Sequence, residues 1–134
     1  SIIGEPPLPP EDLNEAITSV PLEQLAFARS GDKGDKANIG VMARDPAFLP
    51  WIARTLTAQA VAERFQHLMT SDDYDRYYLP GIHGFNFVLH NALGGGGVAS
   101  LRSDPQAKCF AQLLLDFPIE IPSKLLDQHH ASHC

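Results

Sequence analysis

The segment LAFARSGDKGDKANIGVMA, Leu25–Ala43, decides how the rest of the chain is read. Two apolar runs, Leu25 to Ala28 and Ile39 to Ala43, flank a charged stretch holding Gly31, Asp32, Lys33, Gly34, Asp35 and Lys36. Apolar runs joined by a short segment with Gly and Asp predict a β-hairpin. The expected strands run from about Gln24 to Arg29 and from about Asn38 to Arg44, with a loop between them. The glycines of that loop let the backbone approach a ligand closely. Two readings stand side by side: a functional loop on a rigid hairpin, and a solvated turn in which Arg29 and Lys36 pair with Asp32 and Asp35.

Downstream of the hairpin, Ala47 to Leu56 predicts a short helix interrupted by Pro50. Thr57 offers an N-cap to a helix over Ala58–Met69, with Val61, Phe65 and Leu68 at helical spacing. Tyr74–Leu79 reads as a strand stopped by Pro80-Gly81. His83–Leu93 reads as a helix with Phe85, Val88, Leu89 and Ala92 on its apolar side. Gly94–Gly97 ends it, and Val98–Arg102 reads as a further strand. Asp104-Pro105 is helix-start chemistry, and Phe110, Leu113, Leu114 and Phe117 have helical spacing, with an extended strand as the alternative. Pro118–Pro122 is extended by its prolines.

Upstream, Pro6, Pro7, Pro9 and Pro10 predict an extended arm, followed by a short helix or irregular stretch from Pro10 to Ile17. The expected organisation is a proline-rich arm over 1–21, one domain over 22–122, and a polar, frayed, histidine-bearing tail over 123–134. The order of elements predicts an α+β fold, with an antiparallel or mixed sheet and helices mainly on one face.

With 134 residues the chain is expected to form one domain with a real core. Hydrophobic residues at 44% and charged residues at 19% fit an ordinary globular protein. A net charge of −6 argues against nucleic acid and anionic membranes as partners. No apolar run has the length of a membrane span, and no basic-then-apolar leader opens the sequence, so a cytoplasmic protein is expected. Cys109 and Cys134 are the only cysteines, one in an apolar segment and one at the end, which predicts no disulfide framework.

Candidate chemistry concentrates in two places. In the hairpin, Asp32 and Asp35 lie three apart with Asn38 three further on, but Lys33 and Lys36 oppose a cation there, and no metal is expected. Arg29 and Lys33 suit a carboxylate or phosphate instead. In the segment read as the second helix, His83, Asn86 and His90 are spaced three and four and would share one polar face. The expected acid–base set is Asp32, Lys33 and His83. Arg29, Ser30, Asp35, Asn38, Asn86 and His90 are the expected ligand-binding set, and the two patches are expected to face one pocket. The bland alternative for the helix is a solvent-facing polar stripe. Gly94–Gly97 follows a predicted helix and precedes a predicted strand, the reverse of a phosphate-binding order. His129, His130, His133 and Cys134 read as an incidental histidine-rich end.

Ala28 to Asp35, Ala37-Asn-Ile-Gly40, Tyr77 to Pro80, Asn86-Phe-Val88, Gly94 to Gly96 and Asp104 to Lys108 together resemble the small C-terminal domain of AtuA-type acyclic terpene utilisation proteins, also known as a stand-alone protein. The resemblance covers roughly Leu22 to Pro122, and the Arg-Ser-Gly-Asp-Lys-Gly run is its specific part. Gln106-Ala107-Lys108 departs from the expected glycine before the lysine. The resemblance implies a ferredoxin-like α+β sandwich without an iron–sulfur cluster, and two cysteines cannot supply four thiolates. No cofactor is expected. The resemblance further implies a place in the catabolism of branched acyclic terpenoids through acyl-CoA intermediates. Two roles follow. One is an accessory or ligand-binding subunit beside a separately encoded large AtuA-type partner. The other is a small enzyme, acting on a carboxylate or acyl-CoA substrate, whose site forms in an oligomer. In either role a homo-oligomer, dimer or larger, is expected, because a sheet of few strands leaves a face or edge uncovered and Tyr74, Tyr77 and Tyr78 add aromatic surface there.

Overall fold

The computed structural model describes residues 5–10, 14–33, 36–65, 74–90 and 111–132. Strands β2 (Ala26–Lys33) and β3 (Lys36–Ala43) form the predicted hairpin, and their register closes at Lys33 opposite Lys36. Only Gly34 and Asp35 stand between the two strands. The expected long loop is therefore mostly strand, because pairing continues through the polar residues once the apolar runs have set the register.

Strands β4 (Tyr74–Leu79) and β5 (Gly84–Leu89) form a second antiparallel hairpin, and β5 pairs with β3. The sheet order is β2-β3-β5-β4, antiparallel throughout. This corrects the helix predicted from His83. Phe85, Phe87 and Leu89 alternate, and each is at most 1% exposed. A helix would have set Phe87 away from Phe85 and Leu89, whereas the pleat buries all three on one face. The Pro80–Ile82 3₁₀ turn and His83, in the left-handed region at φ 51°, reverse the chain. The His83 carbonyl accepts from the Ala43 amide at 3.0 Å.

A ribbon of β1 (Ile17–Pro21) and β6 (Pro118–Pro122) forms a second, two-stranded sheet. Strand β1 starts at Ile17, where the sequence predicts the end of a short helix or irregular stretch. Upstream of it, Pro6 is buried, whereas Glu5, Pro7 and Leu8 are exposed. Helix α1 (Leu49–Thr55) takes Pro50 in its first turn, where no amide bond is lost, so the proline starts the helix rather than breaking it. Asp45 opens the preceding 3₁₀ turn by accepting the Ala47 amide at 3.0 Å. Thr57 caps α2 (Ala58–Phe65) as predicted, its Oγ1 accepting the Ala60 amide at 3.1 Å. Residues 111–115 form helix α3, which decides the helix-or-strand alternative there.

The tail is the second correction. Ser123–Ser132 forms helix α4, with Leu126 buried and the Ser123 amide bound to the Ala16 carbonyl at 3.0 Å. His129 packs edge-on against Phe48, centroids 4.7 Å apart, and its Nδ1 lies 3.2 Å from Asp45 Oδ2. A segment with two apolar anchors and a histidine reads as polar, yet those side chains suffice to seat it.

The core lies between one face of the four-stranded sheet and a layer of α1, α2, α4 and the β1-β6 ribbon. Phe48, Phe65, Phe85, Phe87, Ile39 and Ile52 are fully buried there. Arg76, on the core side of β4, donates through Nη1 to the Ala53 and Leu56 carbonyls at 2.7 and 2.9 Å, closing the C-terminus of α1. Burial pulls its guanidinium below the ordinary value, and the negative charge of Glu5 opposes that shift. The remainder of the predicted α2, the Gly94–Gly97 turn, the Val98–Arg102 strand, Cys109, His133 and Cys134 lie outside the described residues.

Candidate functional site on the open face of the sheet

The pleat that buries Val41, Phe85 and Phe87 turns the alternate residues outward. Register lines them up in rows across the four strands. One row is Arg29, Gly40, Asn86 and Tyr77; the next towards the hairpin turn is Gly31, Asn38, Val88 and Asp75. On the other side lie Phe27, Met42, Gly84 and Leu79. Arg29, Phe27, Met42 and Gly31 are exposed, and Asn38, Gly40, Asn86, Val88, Tyr77 and Asp75 are half-buried. Among the described residues, no helix packs against this face.

The polar rows are ordered. Asn38 Nδ2 donates to Asn86 Oδ1 at 3.3 Å across the β3–β5 pair. His90, just past β5, holds its Nε2 2.7 Å from Asp75 Oδ2. That contact fixes the ring, as carboxylate–imidazole pairs do. Arg29 makes no ion pair among the residues whose side chains are described, which leave out 32–37. A Cβ built on Gly31 would meet Asn38 Oδ1 at 2.9 Å, so the Asn38 amide lies over the bare β2 backbone. A Cβ on Gly40 would meet only the Arg29 carbonyl oxygen, at 3.8 Å, an ordinary contact. The fold itself therefore does not require glycine at 40. Gly84 differs: its Cβ would strike the Val41 carbonyl oxygen at 2.1 Å, so glycine there is structural.

The predicted site residues divide accordingly. Arg29, Asn38, Asn86 and His90 gather on the open face. Ser30 falls on the opposite pleat, beside buried Ile39. Asp32 and Lys33 are the last residues of β2, opposite Ala37 and Lys36, and Asp35 lies outside the described residues. His83 is not with them. The register places Asp32 level with Leu89, whereas His83 precedes Gly84 at the other end of β5. Six residues of strand separate those levels, on the order of 20 Å. The polar face once assigned to a helix is thus a strand face, which keeps Asn86 with His90 and sends His83 to the far turn.

Sequence reasoning missed Tyr77 and Asp75 as members of this set. The signal was the alternation in Tyr74–Leu79: Tyr74 is buried, Tyr78 packs on the core 5.8 Å from Phe85, and only Tyr77 of the three tyrosines stands in the outward row. Chemically, the rows offer a cation, two amides, a phenol and a carboxylate-held imidazole around a glycine floor, with an apolar end at Phe27 and Met42, which are 49% and 41% exposed. Arg44 lies 3.9 Å over the Phe27 ring. Among the described residues, no helix is long and apolar enough to cross a membrane.

No curated protein and no solved structure matches the chain. A family model does: residues 20–120 match the AtuA ferredoxin-like domain. The matched span begins in β1 and ends in β6, and it holds the whole open face. With three quarters of its length so matched, the chain belongs to the AtuA ferredoxin-like domain family.

Proposed function

We propose that this protein is an accessory or ligand-binding domain for branched, acyclic carboxylate or acyl-CoA metabolites, working through the open face of its sheet. The single observation behind this reading is the Arg29–Gly40–Asn86–Tyr77 row, a stripe on which no helix packs among the described residues and where a Cβ on Gly40 would make only an ordinary contact. A guanidinium forks onto a carboxylate. An Asn86 amide and a Tyr77 hydroxyl add neutral donors, and the Phe27–Met42 end receives a branched chain. The terpenoid setting comes from the family resemblance, and a separately encoded large subunit is the partner it brings. Titration with isovalerate and isovaleryl-CoA, followed by amide chemical shifts, tests the reading. Shifts centred on Arg29, Gly40 and Asn86 are expected. Absence of shifts with both compounds at millimolar concentration contradicts it.

A second reading, a small enzyme doing acid–base chemistry, is favoured by the 2.7 Å His90–Asp75 contact. In it His90, rather than His83, carries the proton. Deuterium uptake at the α-carbon of isovaleryl-CoA in heavy water, lost in Asp75→Asn, is the expected result; no uptake removes this reading.

A further inference from the structure

We infer that the open face is covered by a second copy of this chain, stacked about a two-fold axis parallel to the strands, so that each ligand cleft is walled by both copies. The inference rests on the open-face reading above and adds its partner. Such an axis, midway between two stacked faces, exchanges the edges of the sheet and preserves height along the strands. With the order β2-β3-β5-β4, β2 of one copy then lies over β4 of the other, and β3 lies over β5.

The rows become complementary under that operation. Gly40 of one copy faces Asn86 of the other, and Gly31 faces Asp75, so each bare backbone position meets a side chain. Phe27 faces Leu79 at the apolar end, where Phe27 is 49% exposed. The charges also match. Arg29, on the β2 edge, comes over Tyr77, with Asp75 one pleat repeat away, about 7 Å and within an arginine's reach. Arg44 adds a second cation next to the β2 end, stacked on Phe27. A stack turned the other way, with β2 over β2, would set Arg29 near Arg29 and bring no arginine of the other copy to Asp75. Gly31 is already overlain by the Asn38 amide, so the room for a ligand lies beside Gly40, where it meets Arg29 from one copy and Tyr77 from the other. This is also the physical reason for glycine at 40, where a Cβ makes only an ordinary contact, 3.8 Å from the Arg29 carbonyl oxygen.

Charge exchange tests the proposal. Sedimentation of the unmodified protein at micromolar concentration is expected to give a dimer. Arg29→Glu and Asp75→Arg, each checked for folding by circular dichroism, are each expected to weaken the dimer about tenfold or more, because like charges then meet across the axis. The double variant Arg29→Glu/Asp75→Arg restores the pair and is expected to return to within a few-fold of the original affinity. A monomeric unmodified protein overturns the inference. So does a dimer untouched by either single change, or a double variant as weak as the singles. The ligand-binding reading fails separately: carboxylate shifts at Gly40 and Asn86 in a monomeric protein keep the site and remove the second copy, and a rescued dimer without such shifts does the reverse.

Discussion

The two faces of the same four-stranded sheet obey different rules. The core face carries Ile39, Val41, Phe85, Phe87 and Leu89, all at most 1% exposed, and every change there alters packing. The outer face carries Arg29, Asn38, Asn86, Tyr77 and Asp75, with glycine at 31 and 40, and little of it is needed to hold the chain together. One backbone therefore presents a structural surface and a chemical one, separated only by the parity of each residue. Gly84 and Gly40 state the contrast within one face: at the first a Cβ would lie 2.1 Å from the Val41 carbonyl oxygen, and at the second it would make an ordinary 3.8 Å contact with the Arg29 carbonyl oxygen.

Substitutions of opposite parity in β5 give the sharpest test of that contrast. Phe87→Ala removes a fully buried ring and is expected to cost about 3–5 kcal/mol in urea unfolding. Its neighbour Val88→Thr, half-buried on the outer face, is expected to cost less than about 1 kcal/mol. Similar losses at both positions would mean that the outer face is core after all.

The next effect concerns how the helical layer is tied to the core face. Arg76→Met removes the guanidinium that lies 4.9 Å over the Phe85 ring and leaves the Ala53 and Leu56 carbonyls without their donor, and about 1–3 kcal/mol is expected. His129→Ala loses the Asp45 contact and the edge-on Phe48 contact, and about 1 kcal/mol is expected, with no effect on carboxylate binding. Loss of binding in either variant would join the helical layer to the site and blur the comparison.

Much of the core face was legible in the sequence, and less of the outer one. The hairpin, the Thr57 cap, the Tyr74–Leu79 strand and the extended Pro118–Pro122 follow from turn residues and local chemistry. β5 did not, because Val88 adds an apolar residue to the outer face. With Val88 beside Leu89, the segment satisfies a helical period as readily as a strand period. What decides is pairing with β3 and β4 on both sides, a long-range fact. The same error placed His83 beside Asn86 and His90 and hid Tyr77 and Asp75, whose places in the rows depend on register across strands. α4 was illegible for a related reason: its anchor, Asp45 with Phe48, lies some eighty residues earlier.

A smaller effect separates His83 from the site chemically. Its left-handed backbone, φ 51°, favours glycine, and His83→Gly is expected to stabilise by up to about 1 kcal/mol without touching binding. A loss of binding there would return His83 to the site.

The most direct measurement is the carboxylate affinity of Gly40→Val, taken on protein whose unfolding midpoint is recorded alongside. A Cβ at 40 meets the Arg29 carbonyl oxygen at an ordinary 3.8 Å, and a side chain there fills the floor of the outward row. The midpoint is expected to hold or rise, since glycine inside a strand costs about 0.5–1 kcal/mol, while isovaleryl-CoA binding falls at least about tenfold. Unchanged binding in the folded variant would contradict the assignment of the open face as the site.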